Sequence, residues 1–236
     1  MGSYLNKKSS IFLVCFILNG CTTFGPRENL VRASKSQDKV KIFQESEYKN
    51  IDHLPRGWHH YKFRFTDPSA YEQKKMTDKA FGIECKSDDS ASMLLRQTDL
   101  SLRQFPYISW TWRVDKNVNI SSSEKTKEGD DSAARLFIVV SDANKKEYMF
   151  ELYWAPELIS GKSKTIDGFY HYAVRGSGDR IREWTDESIN LSEIVAKRFG
   201  KLKSPTVTVI GMFCDSDGSG GESSAVFRDV FLRKAG

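Results

Sequence analysis

The chain has 236 residues, with 36 Lys and Arg against 31 Asp and Glu, and carries a formal net charge of +5. Its basic residues are spread along the sequence without a nucleic-acid-binding motif around them, which argues against a DNA- or RNA-binding protein. The length allows one ordinary domain with its own hydrophobic core.

The first 20 residues have the pattern of an export signal. Lys7 and Lys8 precede eight apolar residues, 11–18, which is the length of a signal-peptide core and far short of the roughly 20 residues of a membrane-spanning helix. Residues 18–21, Leu-Asn-Gly-Cys, resemble the lipobox of bacterial lipoproteins. That resemblance implies cleavage after Gly20 and lipidation of the Cys21 thiol, with palmitate-type acyl chains that hold the protein on a membrane.

The same resemblance gives an expected location. In the sorting rule of Gram-negative lipoproteins, Thr22 in place of an aspartate implies the outer membrane, with the protein facing the periplasm or the cell surface. Residues 21–41 are polar, lack periodicity and contain Gly25-Pro26, so we predict a lipidated tether there. Residues 42–236 then form the folded domain.

Alternation of apolar and polar residues dominates that domain. Ile108, Trp110, Trp112 and Val114 alternate with polar neighbours, which is the period of a strand with one buried face. Aromatic and β-branched residues are also concentrated in eight other segments bounded by turn residues. The nine predicted strands cover residues 58–65, 81–86, 92–97, 108–114, 135–141, 148–154, 169–175, 206–213 and 225–233. Many short strands of this kind predict an all-β sandwich.

One helix is predicted near residues 191–199. Leu191, Ile194, Val195 and Phe199 fall on one helical face, Asn190 is placed to cap the first turn, and Gly200 follows the last turn. We expect this helix to cover one end or edge of the sandwich.

Two cysteines would remain in the mature domain, Cys85 and Cys214. An oxidising compartment permits a disulfide between them. The count of cysteines permits one bridge and does not prove it, so two separate buried thiols are the favoured alternative.

Several segments resemble the bacterial domain-of-unknown-function 3047 family. They are residues 105–114, the block Gly-Asp-Asp-x-Ala-Ala-Arg at 129–135, the helix ending in Arg-Phe-Gly at 198–200, and Asp-Ser-Asp at 215–217 with Gly220-Gly221. The resemblance spans about residues 58–232, and this chain departs from the commoner pattern at Cys214 and Ser219. It implies a jelly-roll sandwich similar to galactose-binding and carbohydrate-binding modules, and it implies no activity.

The loop Asp-Ser-Asp-Gly-Ser-Gly-Gly at 215–221 places acidic residues at alternate positions. It begins like an EF-hand, but Val226 stands where the bidentate glutamate should be and the flanks are predicted strands, so an EF-hand is excluded. A calcium site of another kind would form if Asp130 or Asp131 converged with Asp215 and Asp217. The other interpretation is that aspartate and glycine are simply good turn formers.

Arg135 has two interpretations of equal weight. Strand alternation places it in a row with Phe137 and Val139, so a buried guanidinium would need a carboxylate partner from among Asp130, Asp131, Asp215 and Asp217. The result would be either a structural salt-bridge cluster or a ligand-binding site.

Aromatic residues fit sugar binding, because flat rings stack on pyranose faces while polar groups bind the hydroxyls. Trp110 and Trp112 are predicted in the core, whereas Trp154 and Trp184 adjoin loops and are the candidate platforms. The predicted ligand-binding set is Asp130, Asp131, Arg135, Trp154, Asp215 and Asp217. The long connection at residues 115–128 is either a binding element or disordered.

No catalytic signature accompanies these residues. The sequence has no Gly-x-Ser-x-Gly and no His-Glu-x-x-His, and nothing assigns acid and base roles to its carboxylates. We therefore predict a lipid-anchored binding module for an envelope glycan or other small ligand, with calcium as its one candidate cofactor. The alternatives are a glycan hydrolase using paired Asp or Glu, and a structural partner of another envelope protein.

Overall fold

A computed structural model describes residues 29–77 and 80–235. Within those ranges no helix is both long and apolar enough to cross a membrane. The predicted signal peptide, residues 1–20, and the lipidation residue Cys21 lie outside the described residues, so both stay predictions.

Thirteen strands and one α-helix make up the described chain, with a short 3₁₀ helix at Glu45–Glu47. The strands are β1 Lys39–Lys41, β2 Trp58–Lys62, β3 Ala70–Lys75, β4 Phe81–Asp88, β5 Ala91–Ser101, β6 Tyr107–Lys116, β7 Ser132–Ser141, β8 Glu147–Trp154, β9 Ser163–Ile166, β10 Phe169–Arg175, β11 Thr185–Asn190, β12 Thr206–Asp215 and β13 Glu222–Arg233. The helix, α1, is Leu191–Phe199.

The strands form two sheets that pack as a jelly-roll sandwich. The six-stranded sheet has the order β11-β6-β13-β4-β3, with β1 also paired to β13, and the seven-stranded sheet has the order β2-β5-β12-β7-β8-β10-β9. Successive strands from β4 to β7 alternate between the two sheets, and so do β12 and β13. The predicted all-β sandwich is confirmed.

The core lies between the sheets and follows the predicted alternation. Trp110 and Trp112 of β6 are 1% and 0% exposed and meet edge to face, with ring centroids 5.2 Å apart. On β7, Ala134, Leu136 and Ile138 face the same core. Because strand side chains alternate, the residues between them lie on the outer face of the seven-stranded sheet, where Phe137 packs in a second apolar cluster.

All nine predicted strands are present, with ends shifted by a few residues. Sequence analysis missed β1, β3, β9 and β11, which are three to six residues long and mostly polar. β3, β9 and β11 lie at sheet edges, where one pairing partner and little burial leave no strong pattern in the sequence.

The helix has the predicted boundaries. The Asn190 side chain accepts a hydrogen bond from the Glu193 amide, and the Glu193 carboxylate accepts one from Asn190 Nδ2. Gly200 follows with φ of 81°, a backbone conformation that favours glycine. Phe199 packs against the rings of Tyr148 and Phe150, so the helix covers one end of the sandwich as expected.

The predicted tether boundary requires correction. Residues 29–41 were assigned to the tether, but Val31 forms a parallel bridge with Thr98, and Lys39–Lys41 pairs with the end of β13. Val40 is 3% exposed. Alternation is too short in this segment to signal a strand, yet the folded domain already includes it.

A disulfide joins Cys85 of β4 to Cys214 of β12, with the Cα atoms 6.0 Å apart. It connects the two sheets through the core, near the end of β12 that leads to Asp215, and both cysteines are fully buried. Of the two alternatives left by the sequence, the structure therefore contains the bridge and not the two separate thiols.

Candidate functional site

Arg135 lies at the start of β7 on the outer face of the seven-stranded sheet, and it is 1% exposed. Its Nε donates to Asp215 Oδ1 at 3.0 Å and its Nη1 to Glu151 Oε2 at 2.8 Å. Nη1 also reaches Asp130 Oδ1 at 3.3 Å, and Nη2 donates to the Asp130 carbonyl at 2.6 Å. All three guanidinium nitrogens are thus used inside the protein, as in a structural salt-bridge cluster.

A second cation enters the same cluster from β9. Lys164 Nζ lies 2.6 Å from Asp130 Oδ1 and donates to the Glu124 carbonyl at 2.6 Å. His171 of β10 lies with Nδ1 3.0 Å from Glu151 Oε2 and Nε2 3.8 Å from Asp130 Oδ2. We call Asp130, Arg135, Glu151, Lys164, His171 and Asp215 the buried charge cluster.

The loop between β6 and β7, residues 117–131, covers this cluster. Glu124, which is fully buried, accepts hydrogen bonds from the Tyr153 hydroxyl at 2.8 Å and from the Glu157 and Leu158 amides at 2.6 and 3.1 Å. Gly129 allows the loop to close, because a Cβ there would lie 2.3 Å from the Ser123 carbonyl oxygen. The sequence left a binding element or a disordered segment as alternatives for this connection; the structure has an ordered loop that covers the buried charge cluster.

Burial and charge shift two carboxyl groups of the cluster in opposite directions. Burial favours the neutral form of Glu151, but Arg135 and His171 outweigh it and lower the pKa to about 2. Burial also acts first on Asp215, and there Asp131, Asp217 and Asp130 add like-charge repulsion, so its pKa lies well above the ordinary value despite Arg135. Asp215 therefore belongs both to the buried charge cluster and to a second group of acids.

That second group is formed by Asp131, Asp215 and Asp217, whose carboxylate oxygens lie within 4.8 Å of one another. The two acidic segments predicted to converge do meet, since Asp131 accepts from the Gly218 amide at 3.2 Å and from the Ser219 amide at 2.5 Å. Glycine is needed at 218 because a Cβ would lie 2.8 Å from the Glu128 carbonyl oxygen. Asp131 thereby fixes the 216–219 turn.

The structure distinguishes the two alternatives of the calcium hypothesis, in which Asp130 or Asp131 joins Asp215 and Asp217. The Asp130 side chain points into the buried charge cluster toward Lys164 and Arg135, whereas Asp131 lies beside Asp215 and Asp217. Calcium takes six to eight oxygens, and it would have to share them with the amides that already donate to Asp131 and Asp215. Calcium binding stays a prediction.

Trp154 is not a ligand platform. It is 1% exposed and packs in the core with Trp112, at a ring-centroid distance of 5.7 Å. The reason is the alternation along β8, which places Trp154 on the same face as Phe150 and Leu152. Trp184 is half-buried between the guanidinium groups of Arg113 and Arg228, 4.8 and 4.5 Å from its ring centre.

Four of the five remaining members of the predicted ligand-binding set are also buried. Asp130, Asp131, Arg135 and Asp215 are each no more than 3% exposed, and Asp217 alone is partly exposed. Sequence reasoning missed Glu124 and Lys164, which lie in polar segments without periodicity. The signal that could have found Lys164 is the charge balance around Arg135, since one arginine among several carboxylates needs more positive charge nearby.

The acidic turns share one end of the sandwich, which we call the acidic rim. It comprises residues 67–69, 88–90, 115–131 and 215–222. The Ser216 amide donates to the Ser90 carbonyl at 3.1 Å, and the Asp89 amide to the Gly221 carbonyl at 3.0 Å, so the turns contact one another.

A surface pocket of about 460 Å³ opens at this rim. We call it the rim pocket. Its wall carries carboxylates, ammonium groups and hydroxyls, and no aromatic side chain; the lining residues are Asp67, Pro68, Ala70, Lys86, Ser87, Asp88, Ser90, Lys116, Glu222, Ser223 and Ser224.

Comparisons with known proteins place these features in context. The model of a family described as "Protein of unknown function (DUF3047)" matches residues 56–163. No curated protein has a matching sequence.

Among solved structures, the family 30 carbohydrate-binding module of a Clostridium thermocellum cellulosomal cellulase is 8% identical with a TM-score of 0.44, over 83% of this chain and 97% of that one. The xyloglucanase domain of NopAA, a type three effector from Sinorhizobium fredii, is 9% identical with a TM-score of 0.42, over 77% and 96%. A family 12 xyloglucanase from Bacillus licheniformis is 11% identical with a TM-score of 0.39, over 87% and 98%.

Proposed function

We propose that this chain, which belongs to the DUF3047 family through residues 56–163, is a lipid-anchored envelope protein whose sandwich binds a glycan in the rim pocket without catalysing a reaction. The observation that carries the binding proposal is the pocket itself. Its volume falls within the roughly 300–1,000 Å³ of small-ligand sites.

The chemistry of the wall suits a ligand rich in hydroxyl groups. Asp67, Asp88 and Glu222 offer acceptors for sugar hydroxyls, whereas Lys86 and Lys116 offer donors. Because both signs of charge are present beside serine hydroxyls, the pocket favours many directional hydrogen bonds over one strong charge. Saccharides present hydroxyl groups on most of their ring carbons.

Burial argues against the carboxyl groups of the buried charge cluster as catalytic residues. A glycosidase needs two carboxyl groups that reach the scissile bond. The closest carboxyl groups of the cluster, Asp130, Glu151 and Asp215, are at most 3% exposed and bonded to Arg135. Substrate would have no access to them.

The rim pocket can be tested on a glycan array of bacterial envelope polysaccharides. We expect the wild-type protein to bind, and the double variant Asp88→Ala, Glu222→Ala to lose about tenfold or more in affinity, since hydrogen bonds to charged groups contribute about 1.5–3 kcal/mol each. Both residues are exposed, so the fold should survive.

The matched control is Asp38→Ala at the other end of the molecule. Asp38 is an exposed carboxylate paired with Lys234, just as Glu222 is paired with Lys116. Its binding should be unchanged. Equal binding by the pocket variant would reject this pocket, and shortened glycans after incubation would show catalysis.

Lipidation of Cys21 is a separate expectation, tested by metabolic labelling with a radioactive or clickable fatty acid. The wild-type protein should be labelled and found in the membrane fraction, and Cys21→Ser should lose both properties. Cys15→Ser is the control, because that cysteine lies within the predicted signal and its loss should leave labelling intact. An unlabelled wild-type protein would remove the anchor from the proposal.

A further inference from the structure

The sandwich has two chemically different ends. β12 runs from Thr206 at one end to Asp215 at the acidic rim, and ten extended residues span about 33 Å. The end at Thr206 is built from three connected segments, residues 102–106, 142–147 and 191–205. They are joined by hydrogen bonds from the Ala143 amide to the Lys203 carbonyl and from the Leu102 amide to the Pro205 carbonyl, each at 2.8 to 2.9 Å.

We call this second end the basic end, because seven basic and three acidic side chains lie in those segments. All seven basic side chains are exposed: Arg103, Lys145, Lys146, Lys197, Arg198, Lys201 and Lys203. The acidic ones are Asp142, Glu147 and Glu193. Lys197 and Arg198 occupy the last turn of α1, where the negative end of the helix dipole stabilises positive charge.

The acidic rim has the opposite sign. Its segments carry seven acidic residues that are at least partly exposed, against four basic ones, Lys86 of the rim pocket included. These acidic residues are Asp67, Asp88, Asp89, Asp115, Glu128, Asp217 and Glu222, whereas Glu124, Asp130, Asp131 and Asp215 are buried. The molecule is therefore polar along its long axis, although its net charge is only +5.

The chain length before the described residues limits where the sandwich can be. With Cys21 as the acylated residue, Asn29 follows eight positions later, and eight extended residues span about 28 Å. The Asn29 carbonyl accepts from Arg96, half-way along β5, so the domain is tied at its middle. This connection keeps the domain near the bilayer and permits either end to face it.

We infer that the basic end docks on a membrane surface of anionic phospholipid, so that the acidic rim and its pocket face away from the bilayer. This inference rests on the proposed lipid anchor. Negatively charged headgroups attract clustered lysine and arginine side chains within about a Debye length of the surface, roughly 8–10 Å, and they repel the acidic rim. Attraction of the basic end and repulsion of the acidic rim therefore favour the same orientation of the domain on the membrane.

Energy transfer from two single positions tests the orientation. In the full-length lipidated protein Cys85 and Cys214 are bridged, so Ala143→Cys at the basic end and Glu128→Cys at the acidic rim each add one free thiol for a fluorescent donor. The protein is reconstituted in vesicles with an acceptor on the lipid headgroup, either in phosphatidylcholine alone or with added phosphatidylglycerol. In the anionic vesicles we expect transfer from position 143 to exceed that from 128 by about twofold or more, given their separation along strands of about 33 Å.

Charge reversal supplies the matched comparison. The variant Lys145→Glu, Lys146→Glu, Lys201→Glu, Lys203→Glu should lose the difference between the two positions, and high salt should reduce it in the wild type. The control reverses four exposed basic residues outside both ends, Lys49, Arg56, Lys62 and Lys162, and should keep the difference.

Two results would overturn the inference. They are equal transfer from both positions in anionic vesicles, and a difference of the same size in phosphatidylcholine alone. The mass of the reconstituted protein shows separately whether Cys21 is acylated, and glycan binding on the same samples reports the rim pocket. A failure of the anchor or of the pocket is thus distinguished from a failure of docking.

Discussion

Replacing Arg135 with methionine is expected to lower the free energy of unfolding by about 3–5 kcal/mol, because removing one partner of a buried ion pair leaves uncompensated charge in the interior. Arg135 is the common partner of Asp130, Glu151 and Asp215, all of them buried. Lys164 reaches Asp130 and does not replace the guanidinium at the other two. Urea unfolding followed by tryptophan fluorescence measures the change.

Arg113→Met is the control, because it removes an arginine that lies outside the buried charge cluster. Arg113 pairs with Asp115 at 2.6 Å, but its side chain is 20% exposed, and solvent-exposed pairs contribute about 0–1 kcal/mol. We expect its loss to be correspondingly small. If both variants lost a similar, small amount, the buried charge cluster would not be the main support of this face of the seven-stranded sheet.

The double variant Cys85→Ala, Cys214→Ala should lower the free energy of unfolding by about 4–5 kcal/mol, the loop-closure estimate for a cross-link across more than 100 residues. The sequence separation is 129 residues, and the bridge links the two sheets. The alanine side chains avoid leaving buried polar groups in the core. Denaturant unfolding of the oxidised wild type and the variant measures the difference.

Reductant gives an internal comparison for the same bond. Wild type unfolded and refolded with a phosphine reductant should match the double variant in stability, and the double variant itself should not respond to reductant. A wild type that keeps its full stability after verified reduction would show that packing, and not the cross-link, holds the sheets together.

The fold could be predicted because its buried strands alternate in the sequence. Ile108, Trp110 and Trp112 define a face without reference to any other strand, and all of them are buried. Edge strands escaped prediction for the complementary reason: Thr185–Asn190 of β11 is polar, and it is a strand because β6 pairs with it. Such elements depend on tertiary pairing and not on local preference.

The site was predictable in part. The need of Arg135 for carboxylate partners follows from one arginine in an apolar row, and the structure supplies Asp130 and Asp215 from the predicted set. Glu151, Lys164 and Glu124 come from other strands and from the covering loop, whose path no local pattern encodes. Trp154 was misassigned because its nearness to a loop was given more weight than the alternation that places it with Leu152.

The strand order determines when each sheet can form as the chain is synthesised. β12 lies between β5 and β7, and β13 lies between β4 and β6, so the last two strands are inner strands of the two sheets. During synthesis from the N-terminus, β5 and β7 cannot pair with their shared neighbour until Thr206–Asp215 has been made. In the same way, β4 and β6 lack their shared neighbour until Glu222–Arg233 has been made. The seven-stranded sheet therefore cannot be completed before residue 215 has been synthesised, nor the six-stranded sheet before residue 233, so both sheets form only when nearly all of the chain is available.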